Sequence, residues 1–127
     1  MKCNVLVIED NAQNLYLITF MLEKSGFKVF QAETGLEGLE KAKAVKPDLI
    51  LLDIQLPEMD GYEVARRLKQ IDGVKMIPIV AVTSHAMAGD REKVLQAGCD
   101  GYLEKPIDPD TFVPAISKFI NHHPNGA

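Results

Sequence analysis

The sequence has two cysteines, Cys3 and Cys99, one near each end of the chain and in no Cys-x-x-Cys or metal-ligand pattern. A thiol-ligated metal site is excluded, and two reduced, structural thiols are expected. Long apolar runs are also missing. The longest, such as the four residues from Val5 to Ile8 and the four from Leu49 to Leu52, fall far short of the ~18–20 residues that cross a bilayer. No transmembrane helix and no membrane association are expected. The N-terminus reaches Glu9 and Asp10 after that one short run, which leaves no apolar region of a secretory signal, so the expected compartment is the cytoplasm. An excess of positive charge is absent as well. Fourteen Lys and Arg against eighteen Asp and Glu give a net charge of −4, the wrong sign for neutralising nucleic-acid phosphates. No repeat, charge block or Gly/Ser linker divides the chain.

What is present is the composition of an ordinary soluble domain: 127 residues, 46% hydrophobic and 25% charged, with 9 Gly and 7 Pro. One domain over residues 1–127 is expected. A chain of this size buries roughly 65–70% of its unfolded surface, enough for a core without staples.

Short buried runs alternate with helical periods. Val5 to Ile8, rich in β-branched residues, reads as a first strand ended by polar Glu9, Asp10 and Asn11. Leu15, Ile18 and Leu22 share one helical face over residues 14–25, and Gly26 stands where a C-terminal cap belongs. A second strand is expected over 27–32, followed by a helix opened by a Thr34-Gly-Leu-Glu37 capping box, with Leu36 and Leu39 inward and Lys46-Pro47-Asp48 as its stop. Leu49 to Asp53 is a third strand, residues 54–61 a loop, 62–70 a helix, and Ile79 to Thr83 a fourth strand. A helix between His85 and Ala97 is weakened by Gly89 and ended by Gly98. A short fifth strand, 102–104, precedes Lys105-Pro106 and a last helix over 108–122, with Ile116, Phe119 and Ile120 inward. Within it, Pro114 demands a start near Asp110 or a bend. Strands apolar on both faces and alternating with helices predict an α/β fold: a doubly wound, five-stranded parallel sheet of flavodoxin-like order 2-1-3-4-5. Its ligand site belongs at the carboxyl ends of the strands, at the switch between strands one and three.

Every central strand ends in a polar or charged group there: Glu9 and Asp10, Asp53, Thr83 and Ser84, Lys105. Two carboxylates ~5 Å apart repel by about 3 kcal/mol at an effective dielectric of ~20, so three of them require a cation or a proton. Oxygen-only ligands favour Mg²⁺, with Mn²⁺ as a substitute. Lys105 supplies a point positive charge, and Thr83 with nearby backbone N–H groups supplies donors for an anion. Asp53, between them, is placed as a carboxylate nucleophile for in-line phosphoryl transfer, giving an aspartyl phosphate.

The motifs Ile8-Glu9-Asp10-Asn11, Leu52-Asp53-Ile54-Gln55-Leu56-Pro57-Glu58-Met59-Asp60-Gly61, Val82-Thr83-Ser84 and Gly101-Tyr102-Leu103-Glu104-Lys105-Pro106 closely resemble those of response-regulator receiver domains of the CheY-like superfamily. The resemblance covers about residues 3–121, with 122–127 as a C-terminal tail. It implies Asp53 as phosphoacceptor, Asp10 as direct metal ligand, Glu9 as holder of metal-bound water, and Gln55 as donor of a backbone carbonyl. It also implies Thr83 as the switch hydroxyl, Lys105 as the lysine that pairs with the phosphoryl group, Tyr102 as the aromatic that turns inward on activation, and a cis peptide at Lys105-Pro106. Gln55 and His85 flank the position of the hydrolytic water and would tune the phosphoryl lifetime. A histidine kinase or histidine phosphotransfer protein is the implied donor. A downstream protein is the implied reader of the surface formed by the fourth helix, fifth strand and fifth helix, with Gly89 suiting a bistable element. A monomer is expected, with dimerisation on activation left open. With no output domain in the sequence, the expectation is either a single-domain regulator or a receiver piece of a hybrid histidine kinase.

Three other readings fit less well. A phosphatase using an aspartyl-phosphate intermediate needs an acid two residues after the nucleophile, where Gln55 stands. A flavin carrier on this fold needs a first loop that cradles a phosphate, and residues 10–14 are acidic without hydroxyl or Gly. A non-phosphorylated partner-binding module would not require Glu9, Asp10, Asp53, Thr83 and Lys105 together.

Overall fold

A computed structural model describes residues 3–56, 59–83, 90–105 and 107–121. Among the described residues five strands, β1 (Asn4–Ile8), β2 (Lys28–Ala32), β3 (Leu49–Asp53), β4 (Ile79–Thr83) and β5 (Gly101–Glu104), alternate with five helices, α1 (Ala12–Lys24), α2 (Gly35–Val45), α3 (Gly61–Leu68), α4 (Asp90–Gln96) and α5 (Pro109–Asn121). All strand pairs are parallel and the order is β2-β1-β3-β4-β5, the topology expected from the alternation.

The strands are apolar on both faces because both faces are covered. Alternate residues point to opposite sides. Leu6, Ile8, Ile50, Leu52, Ile79 and Ala81 join one core with α2, α3 and α4. Val5, Val7, Leu49, Leu51 and Val80 join a second core with α1 and α5. Among the described residues no helix is long and apolar enough to cross a membrane. Both cysteines are free, Cys99 buried and Cys3 half-buried.

Local chemistry sets most element ends. Asn11 caps α1 by accepting the Asn14 N–H at 2.9 Å. At the other end of α1, Gly26 at φ 95° lets its N–H reach Glu23 O and the Phe27 N–H reach Leu22 O, both at 3.0 Å, the paired bonds of a left-handed helix stop. The capping box of α2 differs from its expected form in one arm. Thr34 Oγ1 accepts the Glu37 N–H at 3.1 Å, but the Glu37 carboxylate turns to the Glu33 N–H at 2.6 Å rather than to that of Thr34. Lys46, at φ 50°, ends α2 because Pro47 disfavours a helical conformation in the residue before it.

One expectation is corrected and another made specific. Leu36 is not inward: it is 57% exposed, because the buried face of α2 is Gly35, Gly38, Leu39 and Ala42, and each residue turns about 100° from the last. The start of α5 falls one residue from the expected Asp110, and Pro114 does not end the helix. The helix begins at Pro109, where a missing N–H costs nothing, and Asp108 Oδ1 caps it by accepting the Asp110 N–H at 2.9 Å. Pro114 lies within the helix and is exposed, so its ring meets solvent and only one intrahelical bond is forfeited.

Candidate functional site

Strand register builds the site. Ile8 pairs with Leu52, Asp53 with Val82, and Thr83 with Glu104. Glu9, the next residue after Ile8, is therefore level with Asp53, with Asp10 and Thr83 one step further on and Lys105 just past β5. Ladder bonds continue past the strand ends and hold the backbones: Glu9 N–H to Ala32 O at 2.9 Å, Ile54 N–H to Val82 O at 3.2 Å, Lys105 N–H to Thr83 O at 2.7 Å. Residues distant in sequence thus converge on one edge of the sheet, at the switch between β1 and β3.

Three polar groups there are buried, with 2% exposure at Glu9 and 4% at both Asp53 and Thr83. Asp10 faces solvent. Glu9, Asp10 and Asp53 each present a carboxylate oxygen within 4.8 Å of the other two. Lys105 Nζ lies 2.8 Å from Glu9 Oε1 and 3.6 Å from Asp53 Oδ2. Backbone donors orient the acids: Gln55 N–H binds Asp53 Oδ1 at 2.9 Å, and Asn11 N–H binds Glu9 Oε2 at 3.1 Å. Burial pushes the Glu9 carboxyl up to about 7, and the neighbouring Asp53 carboxylate adds to the rise. Lys105 and the Asn11 N–H oppose it.

These residues fit a divalent cation. The donors are all oxygen, two are buried and the third opens to water, as a small hard ion that keeps part of its hydration requires. Glu9 Oε1 is buried, and the Lys105 ammonium 2.8 Å away is the positive charge beside it.

Tyr102 is half-buried against the core beneath α2, α3 and α4, opposite Ala81 and two residues before the register partner of Thr83. His85 and Pro106, together with Ser84 and Gly89, lie outside the described residues.

Three residues quoted within the sequence motifs, Asn11, Gly61 and Asp60, were given no part in the site and prove to contribute to it. Asn11 matters through its backbone N–H, which every non-proline residue has and no residue type signals. Gly61 fits against the end of β3, where a Cβ would come 2.4 Å from Ile54 Cα and 2.8 Å from Asp53 O. The loop leaving Asp53 is folded back there by the Gly61 N–H to Ile54 O bond at 2.9 Å, and its glycine before a helix was the available signal. Asp60 anchors the same loop by capping α3 through the Glu63 N–H at 2.9 Å.

The model of the response regulator receiver domain family matches residues 5–117. The chain is 42% identical over 120 residues to the polar-differentiation response regulator DivK of Brucella anthropi, covering 94% of this chain and 98% of that protein. Its structure is similar to that of the chemotaxis protein CheY4 of Vibrio cholerae, with a TM-score of 0.90 and 25% identity over 94% of this chain and 99% of that one. It is also similar to the receiver domain of the sensor histidine kinase PA1611 from Pseudomonas aeruginosa, with a TM-score of 0.88 and 33% identity over 95% of this chain and 99% of that one. A magnesium ion is coordinated in the active-site cleft of that receiver domain.

Proposed function

The chain belongs to the response regulator receiver domain family and is a receiver of two-component signalling, and from that premise we propose that Asp53 is its phosphoacceptor. The observation that carries this reading is the convergence of Glu9, Asp10 and Asp53 within 4.8 Å, with Lys105 Nζ 3.6 Å from Asp53 Oδ2. The Gln55 N–H fixes the rotation of the Asp53 carboxylate. A carboxylate oxygen of Asp53 forms the new P–O bond in line with the donor's breaking P–N bond, whose electron pair returns to the imidazole of a phosphohistidine. A histidine kinase or a histidine phosphotransfer protein supplies that group.

Glu9, Asp10, Asp53 and the Gln55 carbonyl would hold Mg²⁺, which supplies charge neutralisation at the transferring oxygens. Lys105 neutralises a further oxygen, and the buried Thr83 hydroxyl moves toward the phosphoryl group. Tyr102 follows by packing deeper into the core it already touches. The surface made by α4, β5 and α5 then changes for a downstream protein. The domain accepts its phosphoryl group stoichiometrically and loses it slowly, since Gln55 stands where an acid would be needed for turnover. We place it in the cytoplasm, with residues 3–121 as the receiver unit.

The test is intact-mass measurement after incubation with MgCl₂ and a small-molecule phosphodonor. The wild type gains one phosphoryl group and Asp53→Asn gains none. An equal gain in both overturns the assignment.

A further inference from the structure

At the opposite end of the sheet from the acidic edge, one ammonium ties several segments together. Lys69, the residue that ends α3, donates to Lys75 O at 3.3 Å, to Ile77 O at 3.2 Å and to Asp100 Oδ2 at 3.2 Å, as many bonds as it has donors. An exposed ion pair by itself contributes little, but this lysine side chain is only 23% exposed and two of its partners are backbone carbonyls. Its stem lies against Gly98, where a Cβ would come 2.8 Å from Lys69 Cγ. The carboxylate oxygen that Lys69 holds also accepts the Ile79 N–H at 2.9 Å, and the Asp100 N–H binds Ile79 O at 2.7 Å. Ile79, the first residue of β4, thus gives both its backbone groups to Asp100, the residue just before β5. Strand β5 is weak on its own. It has four residues, lies at the edge of the sheet and opens with a glycine, which loses more chain entropy on ordering than any other residue. A slip of one residue would turn Tyr102 and Leu103 each out of its own core. At the far end of the strand the Lys105 N–H meets Thr83 O, and the position of the ammonium 3.6 Å from Asp53 Oδ2 follows from that register.

We propose that Asp100, held by Lys69, is a positioning residue for phosphoryl transfer: it sets the register of β5 on β4 and, through that strand, places Lys105 beside Asp53. The proposal rests on reading Lys105 as the lysine that serves the phosphoryl group, and it adds a determinant at the other end of β5 that touches none of the reacting atoms. The acids of the cation site stand at the ends of β1 and β3, neither of which neighbours β5. The clamp therefore acts on the lysine side of the site and leaves the cation side alone.

Wild type, Asp100→Ala, Asp100→Asn and Lys69→Met are compared by amide hydrogen exchange, by the rate of phosphoryl uptake from a small-molecule phosphodonor and by calorimetric titration with MgCl₂. Asp100→Ala speeds exchange of the Lys105 amide about tenfold or more, while the Glu9 and Ile54 amides, bonded to Ala32 O and Val82 O, stay within about twofold of wild type. Its phosphoryl uptake slows about threefold to tenfold, because transfer depends steeply on where the assisting charge stands. Its Mg²⁺ affinity stays within about twofold. Asp100→Asn keeps an oxygen for the Ile79 N–H, and Lys69→Met keeps the stem against Gly98, so both fall between wild type and Asp100→Ala. Should Asp100→Ala fail to fold, these two carry the same comparison. Wild-type exchange at Lys105 in every variant overturns the proposal, and so does faster exchange with unchanged uptake. Uptake and Mg²⁺ affinity falling together overturn it as well, since that marks a general loosening of the fold. A wild type that gains no phosphoryl group removes the reading of Asp53 instead, and exchange at the Lys105 amide still decides whether the clamp sets the strand.

Discussion

Gly61 packs so closely on Ile54 that a Cβ at residue 61 would lie 2.4 Å from the Ile54 α-carbon. The contact is backbone against backbone, so no side-chain rotation relieves it. Gly61→Ala is therefore expected to shift the segment between Asp53 and α3, at a cost of about 1–3 kcal/mol in urea unfolding, and to weaken Mg²⁺ binding because the Gln55 N–H that orients Asp53 lies in that segment. A variant with wild-type stability and wild-type affinity would show that the approach is not a constraint.

Glu9 makes the metal-free protein sensitive to pH. Its carboxyl is held at about 7 in the fold against an ordinary value of 4.5, chiefly by burial. A raised value means that the fold prefers the protonated form. This group's contribution is whole below pH 4.5 and is lost as pH rises through about 7. Urea unfolding at pH 5 and pH 8 is expected to show that loss in the wild type with chelator, less of it with MgCl₂, and none of this component in Glu9→Gln. A Glu9→Gln profile parallel to the wild type would refute the assignment to this residue.

Removing the divalent ion is expected to abolish phosphoryl uptake, because three carboxylates within 4.8 Å would otherwise repel an incoming phosphoryl group. Intact-mass analysis with EDTA in place of MgCl₂ should show no gain, and Asp10→Asn should reduce the rate severalfold or more. Full uptake in EDTA would contradict the role given to the cluster.

The two thiols should behave differently. Burial, reinforced by the neighbouring Asp100 charge, pushes the Cys99 thiol up to about 12, so almost no thiolate is present at pH 8. Iodoacetamide at that pH is expected to modify native protein at Cys3 first, and Cys99 only once denaturant is added. Equal rates at both positions in the native protein would show that Cys99 is accessible.

Leu36 and Leu39 offer a direct comparison on one helix, being 57% and 7% exposed. Leu39→Ala is expected to cost about 2–5 kcal/mol and Leu36→Ala about 0.5 kcal/mol or less, both read from urea midpoints. Similar losses at the two positions would mean that both leucines are in the core.

Local rules, visible within a few residues, predicted much of this architecture. The apolar runs at β3 and β4 have the bounds expected of them, the helix stop at Gly26 follows from the freedom of its backbone, and strands apolar on both faces implied helices on both sides. The acids, the hydroxyl and the lysine of the site were legible as well, because each stands at a strand end and parallel strands in this order bring their carboxyl ends to one edge. Helix facing was harder where composition was ambiguous. Leu36 cannot announce that two nearby glycines are what bring α2 close to its neighbours, Gly38 against Ile8 of the sheet and Gly35 against Val64 of α3, nor can Pro114 announce that its ring will face solvent.

The sequence by itself determined which groups meet at the sheet edge; the tertiary structure alone decided how they pair there. Periodicity and capping are local and act along the chain, so they are written in residue order. Whether Lys105 rests on Glu9 or on Asp53 depends on strand spacing, on burial at 2% and 4% exposure, and on which carboxylate oxygens Asn11 and Gln55 have already claimed. Those are distances across the sheet, and electrostatic energy in a buried site varies steeply with them.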